Sequence, residues 1–309
     1  MKMEEFYFDS KDGTSKIHAV QYIPDTTSIV CVVQIVHGMA EYVERYEEFA
    51  QALTKRGIVV TGENHLGHGK TVGKDGTLGY FCEEDPATVL VEDVHTLRKQ
   101  IQKQYPGVPY FIVGHSMGSF MVRNYLCRYG EGVSGAVLLG TGMHTKGSLR
   151  LGQFLVKVQK KLFGSKHVSI LINWLAFGSN NQKFKPARTR MDWLSRDEKM
   201  VDEYVANPLC GFLFTINGFE ALFELIFRLY DKQGLDRIPK KLPILLASGS
   251  QDPVGENGRA VKRSYDSLKN AGLEQVQMKL YEKSRHEILN DLDKEIVTKD
   301  ICDWIMSTI

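Results

Sequence analysis

Short apolar runs alternate with longer stretches of helical period along most of this chain, and their order predicts its architecture. Residues 3–9 and 16–23 flank Ser10-Lys-Asp-Gly-Thr14, a turn-rich stretch, and predict a β-hairpin. Ile29 to Val36 is apolar except for Gln34 and rich in β-branched residues, which predicts a central strand followed by a helix from about Tyr42 to Arg56. Gly57 to Thr61 predicts the next strand. A glycine-rich loop from Gly62 to Gly69 runs on irregularly to Phe81. A helix from about Pro86 to Gln104 leads to an apolar strand, Pro109 to Val113, and then to a helix from Ser119 to Arg128. Later strands are predicted at 134–140, 242–248 and 275–281, and later helices at 258–270 and 287–307. Apolar strands alternating with helices predict an α/β protein, a mostly parallel central sheet covered by helices on both faces.

The alternation stops between about Thr145 and Pro239, where helical period dominates and no strand is predicted, and it resumes at Leu242. The expected organisation is therefore a core formed by residues 1–144 and 236–309, with residues 145–235 inserted as a helical cap.

One turn in this pattern carries chemistry. Gly114-His115-Ser116-Met117-Gly118 lies between a predicted buried strand and a predicted helix, which is the nucleophile-elbow arrangement. Such a turn lifts the serine hydroxyl clear of the backbone. The two glycines let strand and helix pass closely. The amide of Met117 opens the helix, where unpaired N–H groups favour a developing oxyanion. A serine nucleophile needs a base, an acid that orients the base, and a second oxyanion donor, and in this fold the chain order is serine, acid, histidine. Asp252 falls just past the carboxyl end of the strand at 242–248, where ligands gather in open α/β sheets. His286 falls between the last strand and the last helix, with no other histidine after His167. The second donor is expected from the loop after the third strand, His37-Gly38-Met39, as the backbone N–H of Met39. His37 itself reads as a loop-orienting residue. His65 and His68 have His-x-x-His spacing, but no third ligand lies at suitable spacing, so no metal and no other cofactor is expected.

Composition narrows the function further. A net charge of +2 implies no bulk attraction to nucleic acid. The five cysteines are scattered, without C-x-x-C spacing, which argues against a disulfide framework and fits a reducing, cytoplasmic compartment. The first residues hold no apolar run long enough for a signal peptide, and no stretch offers the roughly twenty apolar residues of a membrane span.

The chain resembles the α/β-hydrolase family that includes monoacylglycerol lipases and bacterial lysophospholipases of the serine-aminopeptidase-like group. The resemblance rests on His37-Gly38-Met39-Ala40-Glu41 with Arg45-Tyr46, on Asn64-His65-Leu66-Gly67-His68-Gly69, on Gly114 to Gly118, on Gly249-Ser250-Gln251-Asp252 and on His286-Glu287. Asn207-Pro208-Leu209 is similar but less specific. The likeness spans about residues 5 to 305. It implies an α/β-hydrolase fold, a Ser116–Asp252–His286 triad and a mobile cap over an acyl pocket.

The cap sets the substrate. Residues 211–230 are mostly apolar, and Phe219, Phe223 and Phe227 form a stripe at helical spacing. These three and Phe212 are candidate walls of an acyl pocket; the alternative is a helix simply buried against the sheet. The preferred expectation is a hydrolase of lipid-like monoacyl esters. A small-ester, aryl-ester or peptide-like amidase is the alternative, and a non-catalytic binding protein is disfavoured because every triad and oxyanion position is filled. Charge adds one expectation about partners. Thr145 to Arg190 holds ten basic residues and no acidic one, among 39 basic and 37 acidic in the chain. Within it, Leu151, Phe154, Leu155, Val158 and Leu162 form one helical stripe beside Arg150, Lys157 and Lys161, a pattern that seeks anionic lipid surfaces. Nothing in the sequence bears on oligomeric state.

Overall fold

The computed structural model describes residues 1–74 and 76–309. Eight strands form one sheet: β1 (Lys2–Asp9), β2 (Lys16–Ile23), β3 (Cys31–Val36), β4 (Ile58–Glu63), β5 (Tyr110–His115), β6 (Gly135–Leu139), β7 (Ile244–Gly249) and β8 (Val276–Tyr281). Their spatial order is β1-β2-β4-β3-β5-β6-β7-β8. β1 and β2 form the predicted antiparallel hairpin, β2 pairs antiparallel with β4, and every pairing from β4 to β8 is parallel. The irregular run to Phe81 includes Asp75, which lies outside the described residues.

Strand alternation divides the apolar residues between two cores. Val32, Val36, Ile112, Leu138 and Leu246 face α2 (Pro86–Gln104) and α3 (Met117–Tyr129). Val33, Ile35, Val113, Leu139 and Ala247 face α1 (Glu47–Thr54) on the other side. Successive side chains of a strand point to opposite faces, so a strand covered on both faces must be apolar at nearly every position. β3, β5 and β6 are buried throughout.

Between β6 and β7 lie α4 (Lys146–Phe163), α5 (Ile170–Phe177), α6 (Glu198–Ala206), α7 (Ile216–Arg228) and α8 (Lys232–Asp236). This segment adds no strand to the sheet; one isolated bridge joins Val168 to Thr215. α7 packs against α2 and α3, and α4 packs along α7. The chain closes with α9 (Arg259–Asn270) and α10 (Lys294–Thr308), the latter on the α1 side of the sheet.

Two helices start later than the apolar pattern predicts. α1 begins at Glu47 after a 3-10 turn at Val43–Tyr46, and α10 begins at Lys294 after a 3-10 turn at Ile288–Asn290. In both places the polar residues ahead of the helix are engaged elsewhere. Arg45 binds Glu287, and Asp291 accepts from Arg196 and from the backbone N–H of Arg285.

Candidate active site

The loops leaving the carboxyl ends of β3, β5, β7 and β8 converge on one spot, and every expected catalytic residue lies on one of them. Ser116 follows β5 directly, with φ 51° and ψ −119°. Positive φ is costly for a residue with a Cβ and persists only where the surroundings enforce it. They do so here: Ser116 N–H donates to Leu139 O at 2.9 Å, and α3 starts at the next residue. A Cβ on Gly118 would sit 2.0 Å from Val36 O, so only glycine lets α3 pass over the end of β3. Between Tyr110 and Leu126, Ser116 is the one residue that is not buried.

β7 and β8 bring up the acid and the histidine. Gly249 ends β7 so close to the next loop that a Cβ there would lie 2.1 Å from both Ser284 O and Arg285 O. Asp252 is fully buried; its Oδ1 accepts from Val254 N–H at 2.8 Å and from His286 Nδ1 at 3.0 Å. With Nδ1 donating to the carboxylate, Nε2 of His286 is left as the basic nitrogen. The His286 ring lies against the His115 ring, centroids 4.9 Å apart, and against Trp193, 5.0 Å apart.

The loop after β3 closes the site. A Cβ on Gly38 would lie 3.1 Å from Ser116 Cβ, so this loop runs directly beside the serine. Three consecutive amides show how the loop is set. Gly38 N–H donates to Glu41 Oε1 at 2.6 Å, and Ala40 N–H donates to His68 Nε2 at 3.1 Å. Met39 N–H, between them, has no acceptor among the described residues, and neither has Met117 N–H at the start of α3. Two tied amides thus flank one free donor, beside a second free donor at a helix N-terminus, the requirement for holding an oxyanion.

His37 and His68, beneath this loop, are neutral. His68 Nδ1 donates to Leu66 O, so its Nε2 keeps the lone pair that Ala40 uses. Burial, with the neighbouring His65, pushes the His68 pKa down to about 3. Burial also holds His37 well below the ordinary histidine range; its Nδ1 donates to Gly38 O and its Nε2 accepts from His65 N–H. His37, His65 and His68 therefore act as hydrogen-bonding struts for the loop. Among the described residues they do not gather as a metal cluster. The one such group, Glu5, His18 and Glu44, is bridged by Lys70 Nζ, at 2.7 Å from Glu5 and 3.4 Å from Glu44.

The aromatic residues of the insertion separate. Phe219 is wholly buried beside Phe214, Phe177 and Phe223, so it is a packing residue of the core. Phe223 lies over Gly152 of α4, and Phe227 packs half-buried on the same core. Phe212 lies edge-on to His68, centroids 5.2 Å apart, which puts it beside the β3 loop.

Sequence reasoning missed the clamp between the insertion and the histidine loop. Arg285 donates to Asp192 O and to Ser195 O, and its guanidinium lies 4.1 Å from the Phe184 ring centroid. Arg196 binds Asp291 and Asp293, and Glu287 N–H donates to Leu194 O at 2.8 Å. Trp193 is held against His286 by this clamp. Its residues carry no local signal, since partners such as Arg196 and Asp291 lie 95 positions apart.

Strand order, elbow and convergent loops together define an α/β hydrolase. Within that class the chain belongs to the family described as Serine aminopeptidase, S33, whose pattern it matches over residues 27–293. It is similar to a monoacylglycerol lipase of Mycolicibacterium smegmatis, 28% identical over 98% of this chain and 97% of that one. It is also similar to the monoglyceride lipase of Homo sapiens, 25% identical over 92% of this chain and 85% of that one. Among solved structures it superposes on a thermostable carboxyl esterase from Bacillus coagulans in complex with glycerol, with TM-score 0.92 and 30% identity, covering 100% of this chain and 99% of that one.

Proposed function

We propose that this protein is a carboxylic ester hydrolase for lipid-like monoacyl substrates, monoacylglycerols or lysophospholipids, with Ser116 as nucleophile, His286 as base and Asp252 as its orienting acid. Three observations support this reading: Ser116 is held at positive φ next to the β3 loop, that loop has one free amide, and His286 packs on the ring of His115 just before the serine with its Nδ1 tied to a buried aspartate. In the first half-reaction, Ser116 Oγ attacks the ester carbonyl as its proton passes to His286 Nε2. The carbonyl oxygen becomes an oxyanion facing Met39 and Met117 N–H. Collapse breaks the ester C–O bond, His286 returns the proton to the leaving alcohol, and an acyl-serine remains. Water, deprotonated by the same nitrogen, then releases the fatty acid. All of this uses side chains and amides of the protein alone.

The relatives support a lipid ester: two of them are named for monoglycerides, and glycerol, bound in the Bacillus coagulans esterase, is the alcohol half of a monoacylglycerol. Residues 145–235 act in this reading as a cap, with Phe212 beside the β3 loop and Trp193 against the base. The cap also supplies a docking face for anionic lipid. Leu151, Phe154, Val158 and Leu162 of α4 and Ile170, Leu171, Trp174 and Leu175 of α5 are all exposed, beside exposed Arg150, Lys157, Lys161 and Lys166.

The direct experiment is labelling with a fluorophosphonate, alongside turnover of a monoacylglycerol. Ser116→Ala is expected to lose roughly four to six orders of magnitude in kcat with the fold intact, and to abolish labelling. Labelling that survives the substitution overturns the assignment.

A further inference from the structure

Beneath the catalytic loops, four ionisable side chains form a closed, buried group. Arg45 forks onto both oxygens of Glu287, at 2.9 and 2.7 Å, and also donates to Glu41 Oε2 at 2.8 Å. Glu41 Oε1 accepts from His115 Nδ1 at 2.9 Å, from Tyr46 OH at 2.9 Å and from Gly38 N–H at 2.6 Å. No side chain of the four is more than 9% exposed. Each stands one step from a catalytic part, or ties such residues together. His115 precedes Ser116, Glu287 follows His286, Glu41 holds the amide beside Met39, and Arg45 joins the two carboxylates.

His115 has an oxygen at each ring nitrogen. Glu41 Oε1 faces Nδ1, and the backbone carbonyl of His286 faces Nε2 at 3.4 Å. A neutral imidazole has one N–H and would turn a lone pair toward one of these oxygens; the imidazolium donates to both. Charge counts the same way. Two carboxylates are balanced by Arg45 and a protonated His115, whereas a neutral ring leaves a net negative charge in a buried group. The β3 loop presents Glu41 and the neutral His37, the 3-10 turn Arg45 and Tyr46, and the β8 loop His286 and Glu287. The end of β6 presents Gly140, and the insertion adds Tyr204 and Cys210 around Arg45.

We propose that His115 is a positioning residue: as an imidazolium it pins the serine turn to the oxyanion loop and to the backbone of the base, and loss of its proton sets the alkaline limit of catalysis. The role rests on Ser116 being the nucleophile. Burial opposes charge on His115, but the hydrogen bond and charge of Glu41, with the charge of Glu287, overcome it and raise its pKa above the ordinary histidine value. Burial likewise works against Glu41, and His115 and Arg45 together hold its carboxyl well below the usual range. A pKa raised by folding means that the pairing is complete below the unfolded value and is lost as pH climbs through the folded one. The limb it controls is therefore the alkaline one.

The test compares kcat/KM for a p-nitrophenyl ester from about pH 5 to about pH 10 in the native enzyme and in His115→Asn, whose amide still donates to Glu41 without titrating. The native profile is expected to fall on both sides. His115→Asn is expected to be slower by roughly ten- to a hundred-fold, to keep the acid limb and to lose the alkaline one. An alkaline limb that persists in this variant overturns the proposal. Should it fail to fold, Glu287→Gln removes one carboxylate and is expected to move the alkaline limb to lower pH; an unmoved limb overturns the proposal. Nitrogen-15 spectra of the native protein across the pH series read the proton without turnover: one histidine ring is expected to keep protons on both nitrogens above the ordinary histidine range. A turning-over enzyme without that ring overturns this proposal alone. The ring without any ester turnover overturns the nucleophile reading, and the catalytic role of His115 with it.

Discussion

Asp252 is wholly buried, and its two oxygens are used unequally. Oδ1 takes both His286 and the amide of Val254, while Oδ2 has no partner among the described residues. In the proposed triad this carboxylate would fix the tautomer of His286 and balance the charge gained during attack. Asp252→Asn keeps the shape and removes that charge, so kcat is expected to fall by about 10⁴-fold, with a native-like melting curve to confirm the fold. Activity close to native would place the acid elsewhere. Activity is also expected to fall on the acid side, because a protonated base cannot accept the serine proton. The oxyanion loop does not cause that fall. His68 is pushed down to about 3 by burial, so its lone pair still holds Ala40 N–H wherever the base is working. The same side chains mark the limit of residue-level reading. Ser116, Asp252 and His286 could be proposed from sequence because each follows a predicted strand. His115 reads as the free position of the Gly-x-Ser-x-Gly turn, because its partner Glu41 is 74 residues away.

The helices of the insertion divide their labour by what they pack on. α7 buries Phe219, Ala221, Leu222, Leu225 and Ile226, and its amino end is fixed where Thr215 accepts from Gly218 N–H. α4 buries only Leu149 and Val156. Of the apolar stripe that its spacing predicts, Leu155 turns partly inward, while Leu162 is left 67% exposed. α5 continues the same surface, with Ile170 71% and Trp174 66% exposed. The basic residues beside it differ in freedom. Lys160 is paired with Glu220 at 2.8 Å, whereas Lys157 and Lys161 are exposed and outside any ion pair among the described residues. A Lys157→Glu/Lys161→Glu/Trp174→Ala variant therefore changes the face without cutting a pair. Co-sedimentation with vesicles containing anionic lipid is expected for the native protein, weaker at high salt and weaker still in the variant, at about 1 kcal/mol for each lysine near the surface. Failure to bind anionic vesicles at low salt would leave the exposed stripe without a lipid partner.

Charge and apolar surface are distributed unevenly over the protein as a whole. The stretch from Thr145 to Arg190 has no acidic residue in a chain of net charge +2, so that stretch is basic and the rest of the molecule is acidic. No helix among the described residues is long and apolar enough to cross a membrane. If the exposed basic face meets lipid as proposed, a lipid substrate would arrive on that side and pass toward the loops at the carboxyl edge of the sheet. A monoacyl substrate should be favoured in proportion to the chain it buries. kcat/KM across a series of monoacylglycerols and p-nitrophenyl esters is expected to rise from acetyl toward medium and long chains, by up to about 0.8 kcal/mol per buried methylene. A maximum at acetyl or butyryl would favour the small-ester alternative.

What could be read along the chain was whatever repeats locally. β3, β5 and β7 are buried on both faces and so are apolar at nearly every position, and the antiparallel hairpin has a turn signal between its strands. The elbow is contiguous, and Asp252 and His286 each follow a strand end, so the candidate residues could be proposed once the strands were placed. The remainder depends on groups far apart in sequence. Arg45 and Glu287 meet across 242 residues, Arg285 and Asp192 across 93, and which aromatic residues of α7 face the core depends on α2, α3 and α4 being packed around it. A hydrophobic period specifies that a face is buried but not what buries it, and a charge specifies that it needs a partner but not which one. Those choices are made when the sheet brings its loops together: there the β3 loop, the serine turn and the histidine loop become one connected group through Glu41, His115, Arg45 and Glu287.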